Sequence, residues 1–120
     1  MHKFTELKVY QKSLLFTKIV RDTIKNFPKD ELFGLSSQFK RAADSIVLNI
    51  TEGAGDSSQK EFGKFLGYSI RSGFECIGCI EIARENNFVT NIQYENLSNT
   101  VNEIIAMLYS LRKSIINREK

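Results

Sequence analysis

The stretch GLSSQFKRAADSIVLNITEG, residues 34–53, decides the fold of this chain because it has the pattern of one helix with two different faces. Its apolar residues recur at steps of three and four, which places them on one side of an α-helix. These residues are Leu35, Phe39, Ala42, Ala43, Ile46 and Ile50. A helix with one apolar side is stable when that side packs against other elements, so the rest of the chain must supply them.

A second stripe on the neighbouring face carries amide, hydroxyl and single charged groups in place of the usual Lys and Glu. We call it the polar seam, and it consists of Gln38, Arg41, Ser45, Asn49 and Glu52. One interpretation is a network within the chain, in which Arg41 pairs with Glu61 or Glu75. The other is a contact with a second subunit or a ligand. In both cases we predict that Asn49 and Glu52 are at least partly buried and hydrogen-bonded.

The composition is that of one globular domain spanning residues 1–120. Apolar residues make up 42% of the chain and charged residues 26%, with one proline and no tryptophan. Because helix breakers are so few, long helices are expected. The start of the chain lacks the apolar core of a signal peptide, and no apolar run approaches the ~20 residues of a membrane helix. We therefore expect a cytoplasmic protein with no membrane contact.

Capping and breaking residues indicate where the helices begin and end. Pro28 ends the first helix, the glycines of Gly53–Gly55 end the second through a left-handed C-cap, and Asn86–Asn87 ends the third. Capping boxes, in which Ser or Thr precedes Glu or Gln by three residues, begin the third helix at Ser58 and the fourth at Thr90. The expected helices span residues 5–26, 31–53, 58–86 and 92–117.

The last two helices repeat apolar or small residues every seven positions. In the third helix these are Phe62, Leu66, Ser69, Gly73, Cys76, Ile80 and Ala83. In the fourth they are Tyr94, Leu97, Val101, Ile104, Leu108, Leu111 and Ile115. The first helix has a broad apolar face formed by Leu7, Tyr10, Leu14, Phe16, Val20, Ile24 and Phe27. Four helices with short connections predict an all-α fold, an up-down-up-down four-helix bundle.

Further apolar residues lie outside these seams, and one bundle core does not absorb them all. They are Val9, Phe16, Ile19, Phe74, Ile105 and Tyr109. Contiguous apolar patches on a surface usually mark interfaces, so we expect a homo-oligomer.

Residues suited to catalysis or metal binding are few. Cys76 and Cys79 match a C-x-x-C motif, but they lie deep inside a helix, so packing thiols are expected. The only histidine is His2, which leaves a metal site or a nucleophile with a histidine base unsupported. The turn at residues 53–58 could hold an anion, but Asp56 would repel phosphate. We expect no catalytic residue, no metal, no cofactor and no enzymatic activity.

Charge is distributed unevenly along a chain whose net charge is +3. Residues 1–29 carry a net charge of +5, and residues 30–56 carry −3. A basic first helix favours contact with phosphate or an acidic partner, and a solvated face is the alternative. If nucleic acid binds, the expected contacts are Lys8, Lys12, Lys18, Arg21 and Lys25.

One pattern runs from the central helix outward and consists of Gly34-Leu35, Gln38, Lys40-Arg41-Ala42-Ala43, Ser45-Ile46, Asn49-Ile50-Thr51-Glu52-Gly53, Ser58, Glu61-Phe62 and Phe65-Leu66. In this pattern the sequence resembles the bacterial four-helix-bundle proteins first noticed in open reading frames inside 23S rRNA intervening sequences. The chain departs from that pattern at Lys40, Thr51, Asp56, Arg71 and Ile77. Lys40 stands where the family usually has Arg and so loses a bidentate donor.

The resemblance implies an up-down bundle that assembles as a homopentamer. Similar proteins include the accessory protein of diversity-generating retroelements, a basic pentamer that binds nucleic acid and a reverse transcriptase. Two hypotheses follow by analogy. The first is a non-enzymatic homo-oligomeric bundle that contacts RNA or DNA, favoured by the basic first helix. The second is an oligomeric adaptor for a reverse transcriptase or another protein, favoured by the modest net charge and the lack of a basic run interleaved with aromatic residues.

Overall fold

The structure, a computed structural model, describes residues 4–55 and 58–118, which form four α-helices in up-down-up-down order. They are α1 (Lys8–Ile24), α2 (Leu35–Ala54), α3 (Gln59–Glu85) and α4 (Asn91–Arg118). Short 3₁₀ helices, Phe4–Glu6 and Lys29–Glu31, precede α1 and α2. The described ranges contain no β-strand, and the bundle measures 48 × 23 × 20 Å. The predicted fold class is confirmed.

Each helix packs against two others, in the pairs α1–α2, α2–α3, α3–α4 and α1–α4. The seven-residue seams predicted for α3 and α4 face the core. Leu66, Cys76, Leu97 and Ile104 have no solvent-exposed surface. The apolar face of α2 is buried as well, from Leu35 to Ile50. The pattern that decides the fold therefore also identifies its core.

Glycines let neighbouring helices approach closely at two points. A Cβ atom added to Gly53 on α2 would lie 2.7 Å from Cβ of Phe65 on α3. A Cβ atom added to Gly73 on α3 would lie 2.7 Å from Cγ1 of Ile105 on α4. The expected left-handed cap at Gly53–Gly55 is wrong, since Gly55 has a φ of −76° and α2 continues to Ala54. Gly53 serves helix packing instead.

The helix ends differ from the sequence prediction mainly at the start of α2, which begins at Leu35 and not at residue 31. Gly34, with φ −108° and ψ −114°, separates the 3₁₀ helix from α2, and Oε1 of Glu31 accepts a hydrogen bond from the Leu35 amide at 3.2 Å. The capping box at Thr90 is confirmed. Its amide donates to Oε1 of Gln93 at 2.8 Å, and its hydroxyl accepts from the Gln93 amide at 3.1 Å.

The other helix ends agree with the capping residues. Ser58 Oγ accepts a hydrogen bond from the Glu61 amide at 3.2 Å, which caps α3. At the end of α3, Asn87 has a φ of 62°, and the Phe88 amide donates to the Ala83 carbonyl at 2.8 Å. This is a Schellman ending with asparagine in the left-handed position. Asp56 and Ser57, in the turn considered as an anion site, lie outside the described residues, as does His2.

The prediction of surplus apolar residues is only partly right. Val9, Phe16 and Ile105 are buried in the core, because all four helices contribute to it from different sides. Ile19 is half-buried, and of the six only Phe74 and Tyr109 remain on the surface. The opposite error concerns the apolar face of α1. Leu14, which its spacing places in the core, is 43% exposed and lies near Leu48 of α2.

Candidate nucleic-acid interface

The five basic residues predicted to contact nucleic acid do not form one free surface. Lys8 and Lys18 are exposed on α1. Lys12 is half-buried, and its Nζ lies 2.8 Å from Oε2 of Glu103 on α4. Lys25, beyond the end of α1, lies 3.5 Å from Oδ1 of Asp22. Pairing with carboxylates reduces the charge that these lysines present to a ligand.

Arg21 is held most firmly of the five. Its two terminal nitrogens donate to the two carboxylate oxygens of Asp44 on α2, at 2.7 and 2.8 Å. This bidentate bond raises the pKa of Arg21, which stays a cation at any physiological pH. The guanidinium therefore joins α1 to α2, and Asp44 offsets its positive charge while the pair is intact.

The polar seam divides into a bonded centre and exposed ends. Asn49 is half-buried, and its Nδ2 donates to the carbonyl and hydroxyl oxygens of Ser45 at 2.9 and 3.0 Å. Ser72 on α3 donates to the same Ser45 hydroxyl at 3.0 Å. The prediction for Asn49 is confirmed. It is wrong for Glu52, whose exposed carboxylate forms no hydrogen bond with the residues that the structure describes.

Gln38 and Arg41 are exposed like Glu52, and Arg41 pairs with neither Glu61 nor Glu75 in the described chain. The reason is geometric. Ser45 lies within hydrogen-bond distance of Ser72 on α3, and Asn49, one turn further along α2, bonds to Ser45. The network interpretation thus applies to the centre of the seam, and a contact with another molecule remains a prediction for its ends.

A concave site of about 640 Å³ lies elsewhere, in a groove between α3 and α4. We call it the α3–α4 groove. Its cations are Lys60, Lys64, Arg71 and Arg112. None of the described residues that line it is acidic, and none of these four cations has an ion-pair partner in the described ranges. The groove therefore presents unneutralised positive charge in a concave surface, where field lines are focused.

Backbone contacts fix one of these cations at the groove floor. Nε of Arg112 donates to the Gly63 carbonyl at 3.1 Å, which ties α4 to α3. Gly67 lies beside the same guanidinium, and a Cβ atom added there would lie 3.6 Å from Nε. Small residues on α3 therefore leave room for the arginine. Its remaining N–H groups stay available to an acceptor in the groove.

Aromatic rings line the other half of the groove. Phe74 is 53% exposed and Tyr109 is 49% exposed, which is unusual for rings of this size on a bundle surface. Tyr68 also lines the groove, and its ring packs edge-on against Phe65 at a centroid distance of 5.4 Å. Cations beside exposed rings are the surface chemistry that proteins use to bind nucleic acid strands.

A signal for this groove is present in the sequence but is spread over two helices. Lys60, Lys64 and Arg71 are spaced four and seven residues apart, which is the period of one helix face. These residues do not form a contiguous basic run interleaved with aromatic residues. Arg112 and Tyr109 join the stripe only when α3 and α4 pack antiparallel, and that step requires the fold.

The two cysteines face the core, and their thiols are expected to be unreactive. Burial raises the pKa of the Cys79 thiol to about 11, with a further contribution from the charge of Glu75. Burial raises the pKa of the Cys76 thiol still further above its ordinary range. Both thiols are neutral at physiological pH, so neither is a ready nucleophile. The described residues include no cluster of three or more His, Cys, Asp or Glu side chains that could hold a metal.

Known proteins share both the sequence pattern and the fold of this bundle. The family model of the 23S rRNA-intervening sequence proteins matches residues 5–110. The chain belongs to this family. Its fold is similar to the crystal structure of a protein of unknown function from the S23 ribosomal protein family of Bacteroides thetaiotaomicron. The TM-score is 0.79 at 29% identity, with 88% of this chain and 95% of that chain covered.

No curated protein matches this member of the 23S rRNA-intervening sequence family significantly. Among the described helices, none is both long and apolar enough to cross a membrane.

Proposed function

We propose that this member of the 23S rRNA-intervening sequence family is a non-enzymatic, homo-oligomeric bundle that contacts RNA. The observation that carries the proposal is the α3–α4 groove, where four cations without an ion-pair partner among the described residues stand beside exposed aromatic rings. The family name, which refers to 23S rRNA, supports RNA as the partner. Lys meets phosphate as a point charge, so this contact is largely independent of base sequence.

Salt dependence tests the RNA contact. Labelled RNA is titrated with the wild-type protein at two salt concentrations, and binding is expected to weaken steeply with salt because neutralised phosphates release counterions. Lys64→Glu reverses a charge in the groove and is expected to weaken binding further. Lys40→Glu makes the same charge change at an exposed position of α2, outside the groove, and is the matched control. Absence of binding at low salt contradicts the proposal.

The homo-oligomer, a pentamer by resemblance, has apolar surface available between α1 and α2. Leu14, Val47 and Leu48 line a shallow groove of about 360 Å³ there, and Leu15 is exposed on the same helix as Leu14. Light scattering is expected to give about five times the chain mass of 13.8 kDa. Leu48→Lys should lower that mass, whereas Ile92→Lys, at an exposed apolar site outside this groove, should not. A monomer mass for the wild type at micromolar concentration contradicts the assembly.

The alternative, an adaptor for a reverse transcriptase or another protein, has its own supporting observation. Phe33 is 94% exposed and Ile92 is 83% exposed, and both lie where helices connect at one end of the bundle. Large exposed apolar side chains at this end of the bundle would supply apolar surface for a protein contact. An oligomer that binds no RNA at low salt would favour this function over the first.

A further inference from the structure

The α3–α4 groove has two chemically different halves. α4 runs antiparallel to α3, so Arg112 lies opposite Gly63 and Ile105 lies opposite Gly73. Lys60 and Lys64 share the first level with Arg112, which makes that half cationic.

Tyr109 falls between those two levels, near the part of α3 that carries Tyr68, Arg71 and Phe74. The second half is therefore mainly aromatic, with one cation among the rings. A ligand that fits both halves must carry phosphates and flat apolar surfaces along one chain.

Base pairing decides whether a nucleic acid can offer both features together. In a duplex the bases stack on one another and only phosphates and groove edges are presented to a shallow surface. In an unpaired strand each base has a free face that stacks on an aromatic side chain. The half-exposed rings of Phe74 and Tyr109 would add nothing to duplex binding, but they match the bases of a single strand.

We infer that the α3–α4 groove binds an unpaired RNA strand, with phosphates at Lys60, Lys64 and Arg112 and bases stacked on Tyr109 and Phe74. The inference rests on the proposed RNA contact and names the form of RNA. The site extends from residue 60 to residue 74 of α3, about 21 Å at the helical rise of 1.5 Å per residue. Arg71 lies within the aromatic half, where a guanidinium can hold a phosphate or stack on a base.

The test compares one RNA sequence as a single strand, as a duplex with its complement, and as the matching DNA strand, all by fluorescence anisotropy at low salt. The unpaired RNA is expected to bind at least about fivefold more tightly than the duplex.

Tyr109→Leu, which keeps an apolar side chain but removes the ring, is expected to weaken single-strand binding about fivefold or more and to leave duplex binding unchanged. Tyr109→Phe keeps the ring and is expected to bind like wild type. Melting curves of both variants verify that the bundle is intact.

The outcomes separate this inference from the proposed function. If duplex and single strand bind equally and Tyr109→Leu leaves the affinity for the single strand unchanged, the inference is overturned and the RNA contact stands. Loss of binding in Tyr109→Phe as well as Tyr109→Leu also overturns it, because the hydroxyl and not the ring would then matter. Tighter binding of the DNA strand overturns the assignment to RNA. No binding of any nucleic acid removes the proposed function together with the inference.

Discussion

Helix α1 and the α3–α4 groove carry similar numbers of cations, but they present them differently. Five basic residues lie on or just beyond α1, and three of them are paired with Glu103, Asp44 and Asp22. Four basic residues line the groove, and within the described chain none of those four has an ion-pair partner. Charge counted along a sequence therefore differs from charge available to a ligand, since two of these three partners, Glu103 and Asp44, come from other helices.

The cations of α1 connect helices through ion pairs, whereas in the groove Arg112 connects α4 to α3 through a hydrogen bond to the Gly63 carbonyl. Arg21–Asp44 connects α1 to α2, and Lys12–Glu103 connects α1 to α4. No ion pair among the described residues joins α3 to α4, which approach each other at Gly73 and pack through buried side chains. This difference allows each region to be perturbed by itself.

The largest expected effect comes from crowding between the walls of the groove. Gly73→Ala places a Cβ atom 2.7 Å from Cγ1 of the buried Ile105, so the Ile105 side chain or the two helices must shift. We expect a loss of about 1–3 kcal/mol in the free energy of unfolding, together with weaker RNA binding. Denaturant titration measures the first quantity.

Gly78→Ala is the matched control, because nothing lies within 4 Å of the added Cβ atom at that position of the same helix. Alanine is the better helix former, so this variant should be more stable by about 0.5–1 kcal/mol. If the two variants had equal stabilities, the close approach at Gly73 would not matter to the fold.

A smaller effect is expected from breaking the ion pair between Arg21 of α1 and Asp44 of α2. Asp44→Asn breaks the bidentate pair, and because both side chains are partly exposed the cost should be about 1 kcal/mol or less. The freed Arg21 should strengthen RNA binding at low salt by less than about threefold, since it adds at most one phosphate contact. Asp30→Asn, at an exposed site in the 3₁₀ helix, changes the net charge equally and is the control. A gain of about tenfold or more would move the RNA site to α1.

The smallest effect concerns the core behind the groove. Cys76 and Cys79 are buried, and their raised pKa values keep the thiols protonated at about pH 8, so a thiol reagent should label them slowly in the native protein and fully after denaturation. Addition of RNA should not speed the labelling, because the ligand occupies a surface groove. Faster labelling with RNA would show that the bundle opens to bind.

The core and the surface differ in how far they could be predicted from the sequence. The core was predictable because burial follows a local period along each helix. Leu66 and Ile80 of α3 and Ile104 of α4 lie on that period, and all three are buried. A residue's place in the core therefore depends mostly on neighbours within two or three helical turns.

The surface was harder to predict, because pairing depends on side chains that are distant in the sequence. Nothing near Lys12 indicates that Glu103 neutralises it, and nothing near Arg71 indicates that Arg112 and Tyr109 lie across a groove from it. The error at Leu14 has a related cause. Its spacing fits the apolar face of α1, but that face is wider than the contact with α2 and α4.

Two double variants with the same charge change test the central claim that the α3–α4 groove, and not α1, contacts RNA. Lys60→Gln with Lys64→Gln removes two exposed charges from the groove, and Lys8→Gln with Lys18→Gln removes two exposed charges from α1. Single-stranded RNA is titrated against both at low and moderate salt.

The groove variant should bind about tenfold more weakly, with a salt slope shallower by about 1.4, since each phosphate contact on a single strand contributes about 0.7. The α1 variant should stay within about twofold of wild type. A large loss of RNA affinity in the α1 variant, with unchanged affinity in the groove variant, would contradict the account.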